Sequence, residues 1–208
     1  MATSTSDMRL SGGHPALDFT NAVDSRRGRW GPDFLRSFDD LLVLAERTAM
    51  LDSAAISRLR KKASADARRA RAAVEEAVRL REAIYKAFIA EDTGRAYPSA
   101  ALKVVEMAAR EGRSRERLSH TKSGFAWSLP FDELEDVGRA FALAALELLI
   151  ARNDRREVRE CKGDNCGWLF LDHSKGGHRR WCSDAGCGTR SRIARFRTSQ
   201  AQKSPLRR

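Results

Sequence analysis

Hydrophobic positions recur at three- and four-residue intervals through much of the first 150 residues, and that spacing predicts helices. Ser37 opens "SFDDLLVLAER" as an N-cap, with Asp40 three residues on and an apolar face after it. Asp52 or Ser53 caps a second, short helix through "AAISRLRKKA". Ser64 is read as the start of a long amphipathic run, "ADARRARAAVEEAVRLREAIYKAFIAED". There Val74, Ala77, Val78, Ile84, Tyr85 and Phe88 share one face, the other face is charged, and Gly94 ends the run. A further helix covers "SAALKVVEMAAR" and is expected to stop near Gly112. "DELEDVGRAFALAALELLIAR" carries acids in its first turn and Arg152 at its end, as a helix dipole favours.

Other segments break this period. "RLSHTKSGFAWSLP" alternates around Lys122-Ser123-Gly124, which predicts a β-hairpin closed by Pro130. "ALDFTNAV" fits either a strand or a turn entering a helix. Beyond Asn153-Asp154, "GWLFLD" reads as a strand, "HRRWCS" as its returning partner and "HSKGG" as the loop between them. The end, "SQAQKSPLRR", reads as disordered. The expected fold class is mainly α (α+β). A helical domain with a small hairpin occupies 1–153, a small cysteine-bearing module 158–200 and a disordered basic tail 201–208.

Charge divides the chain in the same place. The net charge is +11, and residues 151–208 hold 15 Lys/Arg against 6 Asp/Glu, a net of +9. Such an excess favours polyanions, through release of counterions from phosphates. The most apolar run, "AFALAALELLIA", is 12 residues long and contains Glu147, too short for a membrane span. The opening "MATSTSDMRLSGGHPALDF" lacks the basic and apolar regions of a secretory leader. A cytoplasmic, nucleoid-associated protein is therefore expected.

All four cysteines lie in one stretch, as C-x4-C-x15-C-x4-C: Cys161, Cys166, Cys182 and Cys187. Two close pairs separated by a short segment suit one tetrahedral zinc, each pair supplying two ligands from one turn. Two disulfides are the alternative, disfavoured in a reducing compartment. His173 and His178 are substitute ligands, but four thiolates already fill the shell, and a closed shell is structural rather than catalytic. Ser183 or Asp184 caps a helix that carries Cys187 in its first turn.

This stretch resembles the CGNR zinc finger of a bacterial two-domain family. The match includes Cys161, Cys166, Phe170, Asp172, Ser174, Arg180, Trp181, Cys182, Cys187, Gly188 and Arg190. At the front, "LDFTN" (Leu17 to Asn21) resembles the opening of that family's N-terminal part, the ABATE domain. The resemblance implies a stress-induced transcription regulator. Thr189 stands where the family has Asn, which puts any contact made by that amide in question. The finger is expected to be treble-clef-like.

After the last cysteine, Arg190, Arg192, Arg195 and Arg197 fall on a helix with Ile193 and Phe196, which are placed to pack on the zinc hairpin. Lys175, Arg179 and Arg180 come from the hairpin loop and its return. Together these seven cations form a candidate surface for duplex DNA. Trp168 and Trp181 are read as hairpin core. The alternative is a zinc-stabilised module for an acidic protein or RNA. A His-metal nuclease around Asp172-His173 is disfavoured, because the following helix offers no further ligands. At the front, His14, Asp18 and Asn21 form a candidate effector pocket, or Asp18 and Asn21 cap a helix or turn. No nucleophile–base pair or phosphate loop stands out, so a sensing, dimerising or partner-binding domain is expected, not an enzyme. A homodimer follows only by analogy with palindrome-reading regulators.

Overall fold

The computed structural model describes residues 3–28, 31–121 and 124–203. Among them lie seven α-helices and two two-stranded antiparallel sheets. In chain order they are α1 (Pro15–Thr20), α2 (Phe38–Arg47), α3 (Ser53–Ala65), α4 (Ala67–Thr93), α5 (Ser99–Arg115), β1 (Arg117–Thr121), β2 (Gly124–Ser128), α6 (Asp136–Ile150), β3 (Val158–Glu160), β4 (Leu169–Leu171) and α7 (Thr189–Lys203).

Local chemistry sets most boundaries. Ser37 and Asp40 form a reciprocal capping box at α2, and Asp52 caps α3 through the Ala55 N–H. Asp66, not Ser64, divides α3 from α4. Its extended backbone ends one helix while its carboxylate accepts from Arg69 N in the next. Ser64 lies inside α3 with its hydroxyl on the Arg60 carbonyl. Gly94 ends α4 at φ +64°, the left-handed C-cap that suits glycine. Gly112 does not stop α5, which runs on to Arg115. A Cβ there would sit 3.1 Å from the Leu143 side chain, so the glycine lets α5 lie close against α6. "ALDFTNAV" resolves as α1, entered through Pro15. Of the expected hairpin, β1 and β2 are present, while Lys122 and Ser123 of its turn lie outside the described residues. α7 continues to Lys203 where a disordered tail was expected from 201, and 204–208 lie outside the described residues.

The core runs without interruption from the helices into the cysteine-rich segment. α1 packs on α4 and α6, with Phe19 stacked on Phe141 at 4.4 Å between ring centroids. The same apolar cluster includes Phe34, Leu42, Ile84 and Phe88, then Val158, Leu169, Phe170 and all four cysteines. Arg81 is buried at its centre. It holds Asp33 through two 2.7 Å hydrogen bonds and donates to the Ala22 carbonyl at 3.0 Å. The loop between α1 and α2 is thereby pinned to α4.

Candidate metal centre and basic helix

The first cysteine pair sits at the turn of a hairpin, but its strands differ from those expected. β4 pairs with β3, upstream of Cys161, in the register Val158↔Leu171 and Glu160↔Leu169. "HRRWCS" contributes no strand. Val158 and Glu160 are buried, so "VRE" gains more by joining the core than the exposed Arg180 and half-buried Trp181 would. Cys161 to Cys166 is thus the connection between β3 and β4, turned through Asn165 (φ +57°) and Gly167 (φ +72°). Its middle passes close to the second pair. A Cβ on Gly163 would lie 2.9 Å from that of Cys187.

The second pair belongs to a helix start. Ser183 accepts from Gly186 N at 3.1 Å and caps a π-turn, Asp184–Gly188, that carries Cys187 and runs directly into α7. A knuckle in a hairpin facing the first turn of a helix is the treble-clef arrangement.

The four sulphurs converge to within 4.8 Å of one another, and all four side chains are buried. Cys166 Sγ lies 3.7 Å from Cys182 Sγ, and Cys182 Sγ 3.8 Å from Cys187 Sγ. Four sulphurs at about 2.3 Å from one zinc stand about 3.8 Å apart on a tetrahedron. All four cysteines are free, so the sulphurs are spaced for an ion and not joined as two disulfides. The donor set fits one structural zinc ion. Hydrogen bonds with Cys166 and Cys182, and then the Cys182 N–H, pull the Cys161 thiol down to about 7 against the opposing effects of Cys187 and burial. Those from the three other cysteines, then from Arg190, hold Cys187 far below the usual thiol value. Cys166 and Cys182 are pushed up by the same mutual contacts, so the four titrate as one set.

Backbone and cation donors complete this shell. Cys182 N donates to Cys161 Sγ at 3.2 Å, and Arg190 Nη2 donates to Cys187 Sγ at 3.1 Å. Asp172 is buried and organises the loop ahead of the second pair, accepting from Ser174 N, Ser174 Oγ and Arg179 N.

Two family models match the chain in sequence order. Residues 13–152 match ABATE, described as "Putative stress-induced transcription regulator", and residues 157–200 match the CGNR zinc finger. The chain belongs to the ABATE family. Among curated proteins none matches.

In this ABATE protein the finger is seated on the helical part by polar contacts that sequence reasoning missed. Trp168 Nε1 donates to the Val23 carbonyl at 2.7 Å, Arg26 N to the Cys166 carbonyl at 2.7 Å, and Tyr85 Oη to the Gly167 carbonyl at 3.0 Å. Arg27 grips Glu160, the residue before the first cysteine, donating from Nε and Nη2 to its two carboxylate oxygens. Lys162 reaches Asp92 at 3.0 Å. No periodicity announces such pairs, because each joins residues dozens of positions apart.

The three residues of the expected effector pocket have other partners. His14 is the N-cap of α1 and accepts from Ala16 N. Asp18 is buried and accepts from Gly12 N at 2.8 Å. Asn21 is buried and holds both backbone groups of Leu169. His173 and His178 are exposed and outside the sulphur cluster.

The seven predicted cations divide. Lys175, Arg180, Arg190, Arg192, Arg195 and Arg197 are exposed. Arg192 forms a surface ion pair with Asp184 at 2.8 Å. Arg179 is turned inward, over the Phe170 ring and onto the Trp181 and Cys182 carbonyls. Arg190 is committed to Cys187. Ile193 and Phe196 do not pack on the zinc hairpin; they are 46% and 63% exposed. α7 runs on from the π-turn and packs chiefly on that turn, which leaves both side chains largely in solvent. Thr189, in place of the family Asn, accepts from Arg192 and donates to the Asp184 carbonyl.

Proposed function

We propose that this protein is a zinc-finger DNA-binding transcription regulator. Cys161, Cys166, Cys182 and Cys187 hold the ion, and α7 with the 175–180 loop contacts the duplex. One observation carries this reading: α7 is a solvent-exposed helix, rooted on the metal turn, that presents Arg192, Arg195 and Arg197 with almost no buried surface of its own. Lys175 and Arg180 extend the positive surface from the finger's loop. Counterion release from phosphates gives such a surface its affinity, and a rigid metal-held helix start fixes the direction in which α7 leaves. Membership of a family described as a regulator supports the same reading. A regulator of this kind works at the nucleoid.

The test is binding of the zinc-loaded protein to pooled genomic duplexes across a salt series. Affinity is expected to fall linearly on a log–log plot, and Arg195→Ala or Arg197→Ala should each lower the slope by about 0.9. No retention of any fragment at low salt overturns the reading.

Ile193 and Phe196 favour a second reading, since phosphates make no use of exposed apolar side chains. An acidic protein with an apolar centre would engage both kinds of residue. Phe196→Ser separates the two, sharply weakening a protein partner and leaving the salt slope on DNA unchanged.

A further inference from the structure

The β1–β2 hairpin has one polar and one apolar face. The register pairs Leu118 with Trp127 and His120 with Phe125, so these four side chains share one side. Arg117, Ser119, Ala126 and Ser128 share the other, where the Ser119 and Ser128 hydroxyls meet at 2.8 Å. The apolar side faces solvent. Leu118 is 59% exposed, Phe125 73% and Trp127 66%. His120 stands edge-on to Phe125 at 5.1 Å. The two strands pack principally on each other, and a two-stranded hairpin alone is marginal in water.

We propose that this face is covered by the same face of a second copy of the chain, in a two-fold dimer. An isologous contact needs a patch complementary to itself. Among the described residues this face carries no Lys, Arg, Asp or Glu, so two copies bring no like charges of those residues together. The same lack of cations makes it a poor surface for nucleic acid. The area is that of a small interface. An enclosed aromatic side chain covers about 150–250 Å², so Phe125 and Trp127 at their exposures offer on the order of 300 Å² per copy, and Leu118 adds about 100 Å². Two copies thus remove about 800 Å² through three side chains each, and His120 with the strand rims carries the total toward the ~1,200 Å² of small specific interfaces.

This inference is independent of the DNA reading, and its test contains no nucleic acid. Sedimentation equilibrium of the full zinc-loaded chain at micromolar concentration is expected to give about twice the 23.3 kDa chain mass. Phe125→Glu and Trp127→Ser, read in parallel, should each weaken association at least tenfold. Ala126→Glu, on the polar face, should leave it unchanged, with circular dichroism reporting the fold of every variant. A monomeric wild type overturns the proposal, as does a dimer indifferent to both apolar-face variants.

Discussion

Asn21 in α1 and Leu169 in β4 form a closed pair of hydrogen bonds across 148 positions of sequence. The Asn21 Oδ1 accepts from Leu169 N at 2.8 Å, and its Nδ2 donates to the Leu169 carbonyl at 2.9 Å. The amide acts as an extra strand residue on the edge of β4, so the ABATE part completes the finger's small sheet. Both ends of the contact are buried, where an unpaired backbone group is costly. Asn21→Ala is expected to cost about 1–3 kcal/mol in urea unfolding, more than the average hydrogen bond, because it orphans the N–H and carbonyl of Leu169 together. Asn21→Asp keeps one partner and repels the other, and should not rescue.

Zinc removal should be felt beyond the finger. The four cysteines belong to the same apolar cluster as Phe19 and Phe88, so the metal organises part of a shared core. Elemental analysis is expected to find about one zinc per chain, lost in Cys182→Ser. A thermal melt after chelation should show the whole helical signal moving to lower temperature. A body transition left in place would show that the two parts fold separately.

Arg190 acts on the metal shell more than on a distant phosphate. Its guanidinium sits against the Cys187 sulphur and neutralises part of the charge that four thiolates bring to one dication. Loss of such an outer contact typically weakens metal binding about 10–100-fold. Arg190→Met should show that loss in competition with a chromophoric chelator, while Arg197→Ala should not.

Asp18 makes stability depend on pH in an unusual direction for a carboxylate. Burial pushes its pKa up from 3.8 to about 6, opposed by the Gly12 N–H and the charge of Arg47. A raised value means the folded state holds a proton that the unfolded state has released. The contribution is therefore fully present below pH about 4 and is lost as pH rises through about 6. At pH 7 the ionised group costs up to about 3 kcal/mol. Asp18→Asn keeps an acceptor for Gly12 and should stabilise the protein at pH 7. The gap from wild type should close toward pH 4, read as urea midpoints across the range.

Arg81 is the buried cation on which the α1–α2 loop depends. Removing it strands the Asp33 carboxylate and the Ala22 carbonyl. Arg81→Ala is expected to cost about 3 kcal/mol, and Arg81→Lys to recover only part, since lysine cannot fill both Asp33 oxygens in the same plane.

Local chemistry was legible wherever a residue's partner lay within a few positions. Ser37 with Asp40, Asp52 before α3, Gly94 after α4 and the alternation of β1–β2 are all short-range signals. Gly112 misled because a glycine signals conformational freedom and close packing with the same letter, and only the presence of Leu143 shows which applies. "HRRWCS" misled for a related reason: a nearby segment was the simplest partner for β4, yet the buried "VRE" upstream competes better for the same edge.

The sequence by itself determined the metal chemistry, because two matched cysteine pairs admit few uses and lie within one short stretch. It also determined the helical periods and the basic excess of the last quarter. Only the tertiary structure decided how the finger is mounted and which cations are free. Arg190 and Arg179 read as arginines without protein partners until a sulphur and two carbonyls appear beside them. Ile193 and Phe196 read as core until both side chains are seen to lie largely in solvent. The physical reason is common to all four: exposure and partnership depend on what the rest of the chain brings near, and periodicity within one helix carries no information about that.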